Sequence, residues 1–309
     1  MAPLLGEPKL MDAQRTLKRS ISCAGIGLHS GKKVNLSLKP AAANTGIRFR
    51  RTDLGGLEIP ARATHVGAVA YATQLKSGDA TVETVEHLLA ALASARIDNA
   101  IIELNTREVP IMDGSSAPFV YLLQEAGVKV LAEPRQYLKI TRPVTLSKGD
   151  KRISLFPADQ FKVTYTIGFD HPLLRHQSRA ITVTEHSFAE EIAPARTFTF
   201  LKEVEMLRQN GLALGGSLDN AIVIGDTGVL NSSLRFEDEF VRHKILDLIG
   251  DLSLVGYPVV AHAVVHRGGH ALHTAMAVQL LAEPDAWQLV DAPSDVPTPA
   301  TAVPVPVAS

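Results

Sequence analysis

The sequence predicts an α+β protein made of two similar domains, each a mainly antiparallel sheet packed against helices. Stretches of alternating apolar and polar residues, typical of strands, are followed by segments with apolar residues three and four apart, typical of helices. The order helix, loop, apolar strand, turn, helix occurs twice, around His87 and around His243. At 309 residues with 46% hydrophobic content, the chain can form two cores. We expect the helices to be sandwiched between two sheets, with the functional site at the domain interface.

The first half begins with strands and continues with two helices. Residues 15–75 alternate apolar and polar positions between turns that contain glycine and asparagine. From Thr81 the apolar period becomes helical and ends near Arg96. The other predicted elements are strands over residues 34–38, 46–50 and 99–104, a turn and N-cap segment over residues 110–118, and a helix over residues 119–125.

The second half repeats this plan and completes the predicted domain division. Its predicted elements are strands over residues 136–147, 153–156 and 162–167, a helix over 235–251, a strand over 258–265 and a helix over 270–281. The predicted segments are an N-terminal extension (1–14), a first α+β domain (15–132), a second α+β domain (133–288) and a disordered proline-rich tail (289–309).

Composition excludes several classes of function. Lysine and arginine number 31 against 32 acidic residues, so no overall basic field would attract nucleic acid or an anionic membrane surface. Cys23 is the only cysteine, which excludes internal disulfides and multi-cysteine zinc sites and fits a reducing compartment. The sequence has neither the pattern of a signal peptide nor an apolar stretch long enough to span a bilayer. We therefore expect a cytoplasmic protein.

The helix predicted over residues 235–251 carries a candidate metal site. His243, Asp247 and Asp251 recur every fourth position, so their side chains lie on one face of the helix. An imidazole beside a carboxylate suits Zn²⁺ or another borderline divalent metal. The alternative is a solvated acidic face on which His243 merely pairs with Asp247.

Glu86 and His87 are ionisable residues within an otherwise apolar helix, where a buried charge must find a partner or shift its pKa. The alternative is the exposed flank of an amphipathic helix. His87, with His243 and Asp247 from the other half, would give three metal ligands and an open position for water, as in hydrolytic zinc sites. Glu86 would then be within reach of that water as general base. The spacing differs from His-Glu-x-x-His, which disfavours the common zinc peptidases.

Two more residues are candidates near this centre. His270 begins the last predicted helix, where the positive helix end disfavours a protonated imidazole. A nearby carboxylate such as Asp251 would favour the protonated form again. Lys244, beside His243, would help to stabilise an oxyanion. The alternatives are a helix-terminal histidine without a chemical role and an ordinary solvated cation.

At these residues the chain resembles the UDP-3-O-acyl-N-acetylglucosamine deacetylase family, the zinc amidases that commit bacteria to lipid A synthesis. The resemblance runs from about residue 14 to residue 287 and rests on the joint order of several blocks. The blocks are Gly25-Ile26-Gly27-Leu28-His29-Ser30-Gly31, Thr84-Val85-Glu86-His87-Leu88, Pro110-Ile111-Met112-Asp113-Gly114-Ser115, Ala195-Arg196-Thr197-Phe198, Leu214-Gly215-Gly216-Ser217, residues 236–251, and Gly269-His270-Ala271-Leu272.

The resemblance implies hydrolysis of the N-acetyl group of UDP-3-O-(3-hydroxyacyl)-N-acetylglucosamine, with release of acetate. It implies that zinc, or iron in its place, is bound by His87, His243 and Asp247. It implies that Glu86 is the general base and that Thr197 polarises the acetamide carbonyl. It also implies that His270, held protonated by Asp251, stabilises the oxyanion or protonates the amine, and that Lys244 is an assisting cation.

The resemblance also implies that residues 198–223 build an apolar passage for the 3-O-acyl chain. The candidate substrate contacts in this segment are Phe198, Leu201, Val204, Ala213, Gly216, Ser217, Leu218 and Val223. The alternative for the apolar members is ordinary core packing. Asp170, His171 and Arg267 are candidates for contacts with UDP.

The expected partner is a UDP-linked acylated amino sugar. We expect a monomer that binds no nucleic acid and has no integral membrane segment, while transient contact with a membrane surface is left open. Two other functions remain: a zinc amidase of the same architecture that acts on a different acetylated amine, and a non-catalytic sugar-nucleotide binding module whose metal is structural or absent. The binding module is disfavoured because Glu86 and His270 would then have no function.

Overall fold

The computed structural model describes residues 12–231 and 233–291. Its strands are β1 (Ala13–Leu17), β2 (Ile21–Ile26), β3 (Lys33–Pro40), β4 (Ile47–Arg51), β5 (Leu57–Pro60), β6 (Leu75–Ser77), β7 (Ala80–Val82), β8 (Ala100–Leu104), β9 (Val128–Pro134), β10 (Tyr137–Ile140), β11 (Val144–Lys148), β12 (Lys151–Phe156), β13 (Lys162–Ile167), β14 (Gln177–Thr182), β15 (Phe198–Phe200), β16 (Ile222–Ile224), β17 (Val259–Val260), β18 (His262–His266) and β19 (Trp287–Val290). Its helices are α1 (Glu86–Ser94), α2 (Ala117–Ala126), α3 (Glu185–Ser187), α4 (Leu201–Gln209), α5 (Glu239–Ser253) and α6 (His270–Ala282).

Two five-stranded sheets share one topology. The first has the strand order β2-β3-β8-β4-β5 and the second β11-β12-β18-β13-β14. In each sheet the central strand, β8 or β18, is antiparallel to one neighbour and parallel to the other, while the outer pairs are antiparallel. The α+β prediction with two similar, mainly antiparallel halves is confirmed.

The alternating sequence pattern explains which face of each sheet is buried. In β3, Val34, Leu36 and Leu38 are each 1% exposed, whereas Lys33 and Asn35, at alternate positions, face solvent. Because side chains alternate across a strand, such a segment can bury one row of apolar residues only by covering one face. The helical layer is buried in the same way: twelve of the 15 residues of α5, which packs on β13 and β14 of the second sheet, are buried.

Helices α1 and α5 pack against each other at the centre of the molecule. Their closest approach is at Gly250, where an added Cβ would lie 2.1 Å from the carbonyl oxygen of Glu86. Only glycine allows this backbone contact. The contact sets the first turn of α1 beside the last turn of α5, and α5 also packs on β13 and β14.

Several predicted boundaries differ from the structure. The strand predicted over residues 136–147 is divided between two sheets, since β10 pairs with β17 and β19 whereas β11 pairs with β12. Helix α1 begins at Glu86 rather than at Thr81, because Thr81 lies in β7, which pairs with β6. Helix α5 begins at Glu239 rather than at residue 235. The side chain of Glu239 accepts a hydrogen bond from the backbone N–H of Arg235. The apolar strand predicted over residues 258–265 is divided between two sheets, since β17 pairs with β10 and β18 pairs with β12 and β13.

The predicted terminal segments lie mostly outside the described residues. At their inner edges, Ala13 begins β1, and Leu289 pairs with Leu138 in a strand rather than starting the tail. Across residues 12–231 and 233–291, the structure has no helix whose length and apolar character would let it cross a bilayer.

Candidate metal centre and active site

The packing of α1 on α5 brings His87, His243 and Asp247 together. The Asp247 Oδ1 atom lies 3.4 Å from His243 Nε2 and 3.7 Å from His87 Nε2. All three side chains are buried, and their potential ligand atoms lie within 4.8 Å of one another. The two imidazole rings meet edge to face with their centroids 4.9 Å apart. This arrangement presents two ring nitrogens and a carboxylate oxygen to one point.

The chemistry of these donors fits a divalent metal. His243 Nδ1 donates to the carbonyl oxygen of Ala195 at 3.0 Å, which leaves the lone pair on Nε2 facing Asp247. Burial lowers the pKa of His243 to about 3, so the ring is neutral at pH 7. Among the described residues, the buried Oδ1 of Asp247 has no hydrogen-bond partner. An unpaired carboxylate oxygen in the interior is costly, and a bound cation would remove that cost.

Lys244 keeps Asp247 charged. Its Nζ donates to Asp247 Oδ2 at 2.6 Å, on the side away from Oδ1. Burial alone would raise the pKa of Asp247, but Lys244 and the neighbouring histidines lower it well below its usual range. The ammonium group also lies 5.5 Å from the centre of the Phe198 ring, so it reaches into the same cavity as the metal cluster.

Glu86 is a buried carboxylate beside this cluster. One of its oxygens, Oε2, accepts the backbone N–H of Thr73 at 3.0 Å, while Oε1 lies 3.9 Å from His270 Nε2. Burial raises the pKa of Glu86, and the histidines His270 and His87 oppose that rise. A carboxylate with a raised pKa is a suitable proton acceptor near neutral pH.

His270 is anchored by Asp251. The Nδ1 atom of His270 donates to Asp251 Oδ2 at 2.9 Å, and its Nε2 faces Asp247 at 3.8 Å. Burial alone would lower the pKa of His270, but Asp251, Asp247 and Glu86 together raise it to about 9. The imidazolium is therefore the main form at pH 7, with its Nε2–H directed toward the cluster.

Asp251 is the centre of a hydrogen-bond network. It also accepts the Thr73 hydroxyl at 2.6 Å and His273 Nδ1 at 3.0 Å, and Tyr165 Oη lies 2.9 Å from His273 Nε2. The side chains of Asp251, His270 and His273 are close enough to hold a second metal. We reject that interpretation because the Nδ1 atoms of both histidines donate to Asp251 Oδ2, which leaves neither nitrogen free for a cation.

A cavity of about 540 Å³ opens onto these groups. The residues on its wall that bear on the chemistry are His29, Glu86, His87, Lys148, Lys151, Thr197, Phe198, Phe200, His243, Lys244, Asp247 and His270. The volume is within the range of small-molecule sites, and apolar and charged walls meet in it. The cavity can hold a polar head at the cluster and an apolar group beside the phenylalanines.

Backbone contacts fix Thr197 on this wall. Its N–H donates to the carbonyl of Gly114 and its carbonyl accepts from Ile222, both at 2.8 Å. Gly114 has φ +86°, and an added Cβ would lie 2.2 Å from the Asn220 carbonyl oxygen, so the turn predicted over residues 110–118 requires glycine here. Three segments distant in sequence thus place one hydroxyl.

A buried carboxylate organises the approach to α1. Glu108 accepts the backbone N–H groups of His29 and Ser30 at 2.7 and 2.8 Å and the hydroxyl of Thr84 at 3.2 Å. Thr84 has φ 57°, which is strained for a β-branched residue and redirects the chain into the helix at Glu86. The motif blocks that begin at Gly25 and at Thr84 therefore meet through one side chain.

The other predicted substrate contacts are more dispersed. Phe198 lines the cavity, whereas Leu201, Ser217 and Leu218 are exposed, and Val204, Ala213, Gly216 and Val223 are half-buried outside its wall. Arg267 is not part of the cavity wall, and its guanidinium pairs at 2.8 Å with Asp150, in the turn between the wall residues Lys148 and Lys151. His171 uses both ring nitrogens within the protein: Nε2 lies 2.8 Å from the Gly225 carbonyl oxygen and Nδ1 accepts from the N–H of Leu173.

Sequence reasoning missed Thr73, His273 and Tyr165, which lie far from Asp251 along the chain. It also missed Lys148 and Lys151, two cations on the cavity wall. Nothing in the local pattern of these residues distinguishes them from ordinary strand or loop residues.

Comparisons with known proteins show the family to which the whole chain is related. The LpxC family model, described as UDP-3-O-acyl N-acetylglycosamine deacetylase, matches residues 14–282. The UDP-3-O-acyl-N-acetylglucosamine deacetylase of Pseudomonas entomophila (strain L48) is 51% identical over 284 residues, which is 91% of this chain and 94% of that protein. The chain belongs to the UDP-3-O-acyl-N-acetylglucosamine deacetylase family.

Other members of the UDP-3-O-acyl-N-acetylglucosamine deacetylase family match over similar lengths. The protein of that name from Acidithiobacillus ferrooxidans (strain ATCC 53993 / BNL-5-31) is 50% identical over 285 residues, covering 91% of this chain and 94% of its own length. That from Syntrophotalea carbinolica (strain DSM 2380 / NBRC 103641 / GraBd1) is 50% identical over 280 residues, covering 90% of this chain and 91% of its own length. The resemblance found in the sequence is confirmed, as is the prediction of a member of an enzyme family.

Proposed function

We propose that this protein hydrolyses the N-acetyl group of UDP-3-O-(3-hydroxyacyl)-N-acetylglucosamine and releases acetate, the committed step of lipid A synthesis. The observation that carries the proposal is the buried cluster of His87, His243 and Asp247, with Glu86 and His270 beside it on the wall of one cavity. Family membership supports the choice of substrate.

The three cluster residues are the proposed ligands of Zn²⁺, with Fe²⁺ as the competing metal. When bound there, the metal would supply Lewis acidity and lower the pKa of water to about 7. The neutral imidazole of His243 and the unpaired oxygen of Asp247 support this donor set. Lys244 holds the second oxygen of Asp247, which keeps the carboxylate oriented.

Glu86 is the proposed general base. It takes a proton from water as the water oxygen forms a bond to the acetamide carbonyl carbon. The N–H of Thr73 holds Oε2, so Oε1 is the oxygen free to accept. General-base catalysis of this kind contributes about 10² to 10⁴ in rate.

His270 and Thr197 are proposed to stabilise the oxyanion of the tetrahedral intermediate. The imidazolium Nε2–H and the Thr197 hydroxyl would donate to that oxygen, which is worth most in a water-poor site. The carbon–nitrogen bond then breaks, the amine takes a proton from Glu86 or His270, and acetate leaves. Asp251 holds His270 in its charged form.

We also propose that residues 198–223 form the passage for the acyl chain. Leu201, Met206, Leu214 and Leu218 are large apolar side chains between 40% and 54% exposed, which supports an apolar surface open to a ligand. The cavity lysines Lys148 and Lys151 would receive the diphosphate, and Arg267 lies near them in the fold through its partner Asp150.

The remaining proposals concern organisation and setting. We propose a first domain over residues 15–132 and a second over 133–288, in agreement with the two sheets of equal topology. We further propose a cytoplasmic monomer that touches a membrane surface only transiently while it collects its substrate.

Acetate release from acylated and unacylated UDP-N-acetylglucosamine tests the proposal. We expect hydrolysis of the acylated substrate, loss of activity with a chelator, and recovery on addition of Zn²⁺. Equal hydrolysis of both substrates would favour an amidase for another acetylated amine. A protein that holds stoichiometric metal and releases no acetate would be a binding module.

A further inference from the structure

A second cavity, here called the rear cavity, lies along the C-terminal halves of the two site-bearing helices. It has a volume of about 490 Å³ and shares no lining residue with the catalytic cavity. Helix α1 contributes Leu89, Leu92 and Ala93, and α5 contributes Ile249 and Leu252. Elements of both sheets complete the wall, so the rear cavity spans the predicted domain interface.

Most of the charged groups on this wall are already paired. Arg135, only 5% exposed, donates to Asp98 at 2.8 Å, and Asp159 pairs with Lys139 at 3.1 Å. Arg96 and Arg15 both lie within ion-pair distance of Glu185. Each acidic side chain of the wall therefore has a cation of its own.

Arg62 is different. Its guanidinium lies 5.9 Å from the centre of the Tyr257 ring and 3.4 Å from the Val255 carbonyl oxygen. Within residues 12–231 and 233–291 it forms no ion pair. An arginine fork without a carboxylate, on a wall that is mainly aliphatic and aromatic, suits an apolar chain that ends in an anionic group, and the planar carboxylate matches its two parallel donors.

We propose that the rear cavity is a binding site for a long-chain carboxylate, whose head group pairs with Arg62 and whose chain lies between the ends of α1 and α5. An occupant at this position contacts both helices that carry the metal-site residues. Its binding stabilises the folded protein by RT ln(1 + L/Kd), where L is the free carboxylate concentration. The site is separate from the acyl passage and does not depend on the proposed reaction.

Photolabelling of the full-length, metal-loaded protein with a dodecanoate that carries a terminal diazirine tests the proposal. Peptide mapping should find label within residues 89–97 and 249–260, in addition to any label within 198–223 from the acyl passage. Arg62→Met should weaken labelling of the rear cavity about tenfold or more, because a charge-assisted hydrogen bond is lost. Arg19→Met, which changes an exposed arginine outside the cavity, should leave it unchanged.

Ala93→Trp provides an independent test because it fills the rear cavity from α1. It should abolish the label at residues 89–97 and 249–260 while the label within 198–223 persists, and circular dichroism checks that the variant folds. Label confined to residues 198–223, or rear label unaffected by Arg62→Met, would overturn the proposal. So would rear label that appears only after removal of residues 1–11 or 292–309, since the chain's own end would then be the occupant.

Discussion

Replacement of Gly250 by alanine should separate the two halves of the active site. The new Cβ would lie 2.1 Å from the Glu86 carbonyl oxygen, 2.8 Å from its carbonyl carbon and 3.0 Å from its Cα. Ordinary van der Waals contact begins at 3.4 Å. The backbones of α1 and α5 must therefore move apart by about 1.3 Å, because no flexible side chain can yield in their place.

Two opposing effects set the size of the stability change. Alanine is a better helix former than glycine by about 1 kcal/mol, which by itself would stabilise α5. Overpacking of this kind costs about 1 to 3 kcal/mol, so we expect net destabilisation of about 0 to 2 kcal/mol. The same shift moves Glu86 and His87 away from His243 and Asp247, and a displacement of about 1 Å near a reacting centre can reduce turnover about 10²-fold.

Urea unfolding, acetate release and metal affinity measure these effects. Gly228→Ala is the matched control, because an added Cβ there meets nothing within 4 Å and the residue does not have a positive φ. The Gly228→Ala variant should have the same free energy of unfolding and the same turnover as the parent protein. A Gly250→Ala variant that is more stable than the parent and retains full turnover would refute the close approach of the two helices as the determinant of the site.

Three more predictions concern single side chains. Glu86→Gln should keep stoichiometric metal, measured by elemental analysis, while turnover falls about 10² to 10⁴-fold; near-normal acetate release would exclude Glu86 as the base. His270 is protonated below its pKa of about 9, so kcat/KM should fall as the pH rises through that value. Asp251→Asn should move this alkaline limb to lower pH because it removes the nearest carboxylate, and an unmoved limb would contradict the assignment. Thr73→Val keeps the N–H that holds Glu86 but deletes the hydroxyl bound to Asp251. Turnover should therefore fall about tenfold or more in Thr73→Val, whereas Thr73→Ser, which keeps the hydroxyl, should retain turnover. Equal turnover in both variants would show that the hydroxyl is dispensable.

The sequence alone predicted the α+β architecture and the proximity of three candidate metal ligands. Periodicity predicted most strands of the two five-stranded sheets, though not β14, and located α2, α5 and α6 within a few residues, because burial of one face imposes a regular spacing on apolar side chains. The pairing of the two halves predicted that His87 would meet His243 and Asp247, and the structure places them within 4.8 Å. These features depend on the spacing of apolar residues and on the repeated order of elements in the two halves, and both can be read from the amino-acid sequence.

Tertiary structure decided where elements end and what surrounds the site. Val82 continues the apolar stripe of α1 by spacing, yet it lies in β7, since pairing with β6 and the positive φ of Thr84 outweigh its position in the pattern. Thr73 and Asp251 are separated by 178 residues, so no local pattern could predict their hydrogen bond.

The same limit applies to the charge states and to the second cavity. Burial and three carboxylates determine the pKa of His270. The sequence pattern predicted only one of these carboxylates, Asp251, as its neighbour. The sequence could not reveal that Arg62 has no ion-pair partner among the described residues, because pairing depends on which side chains the fold brings together. Local pattern fixes what each segment can form, whereas contacts between distant segments determine which polar groups are left to bind a ligand.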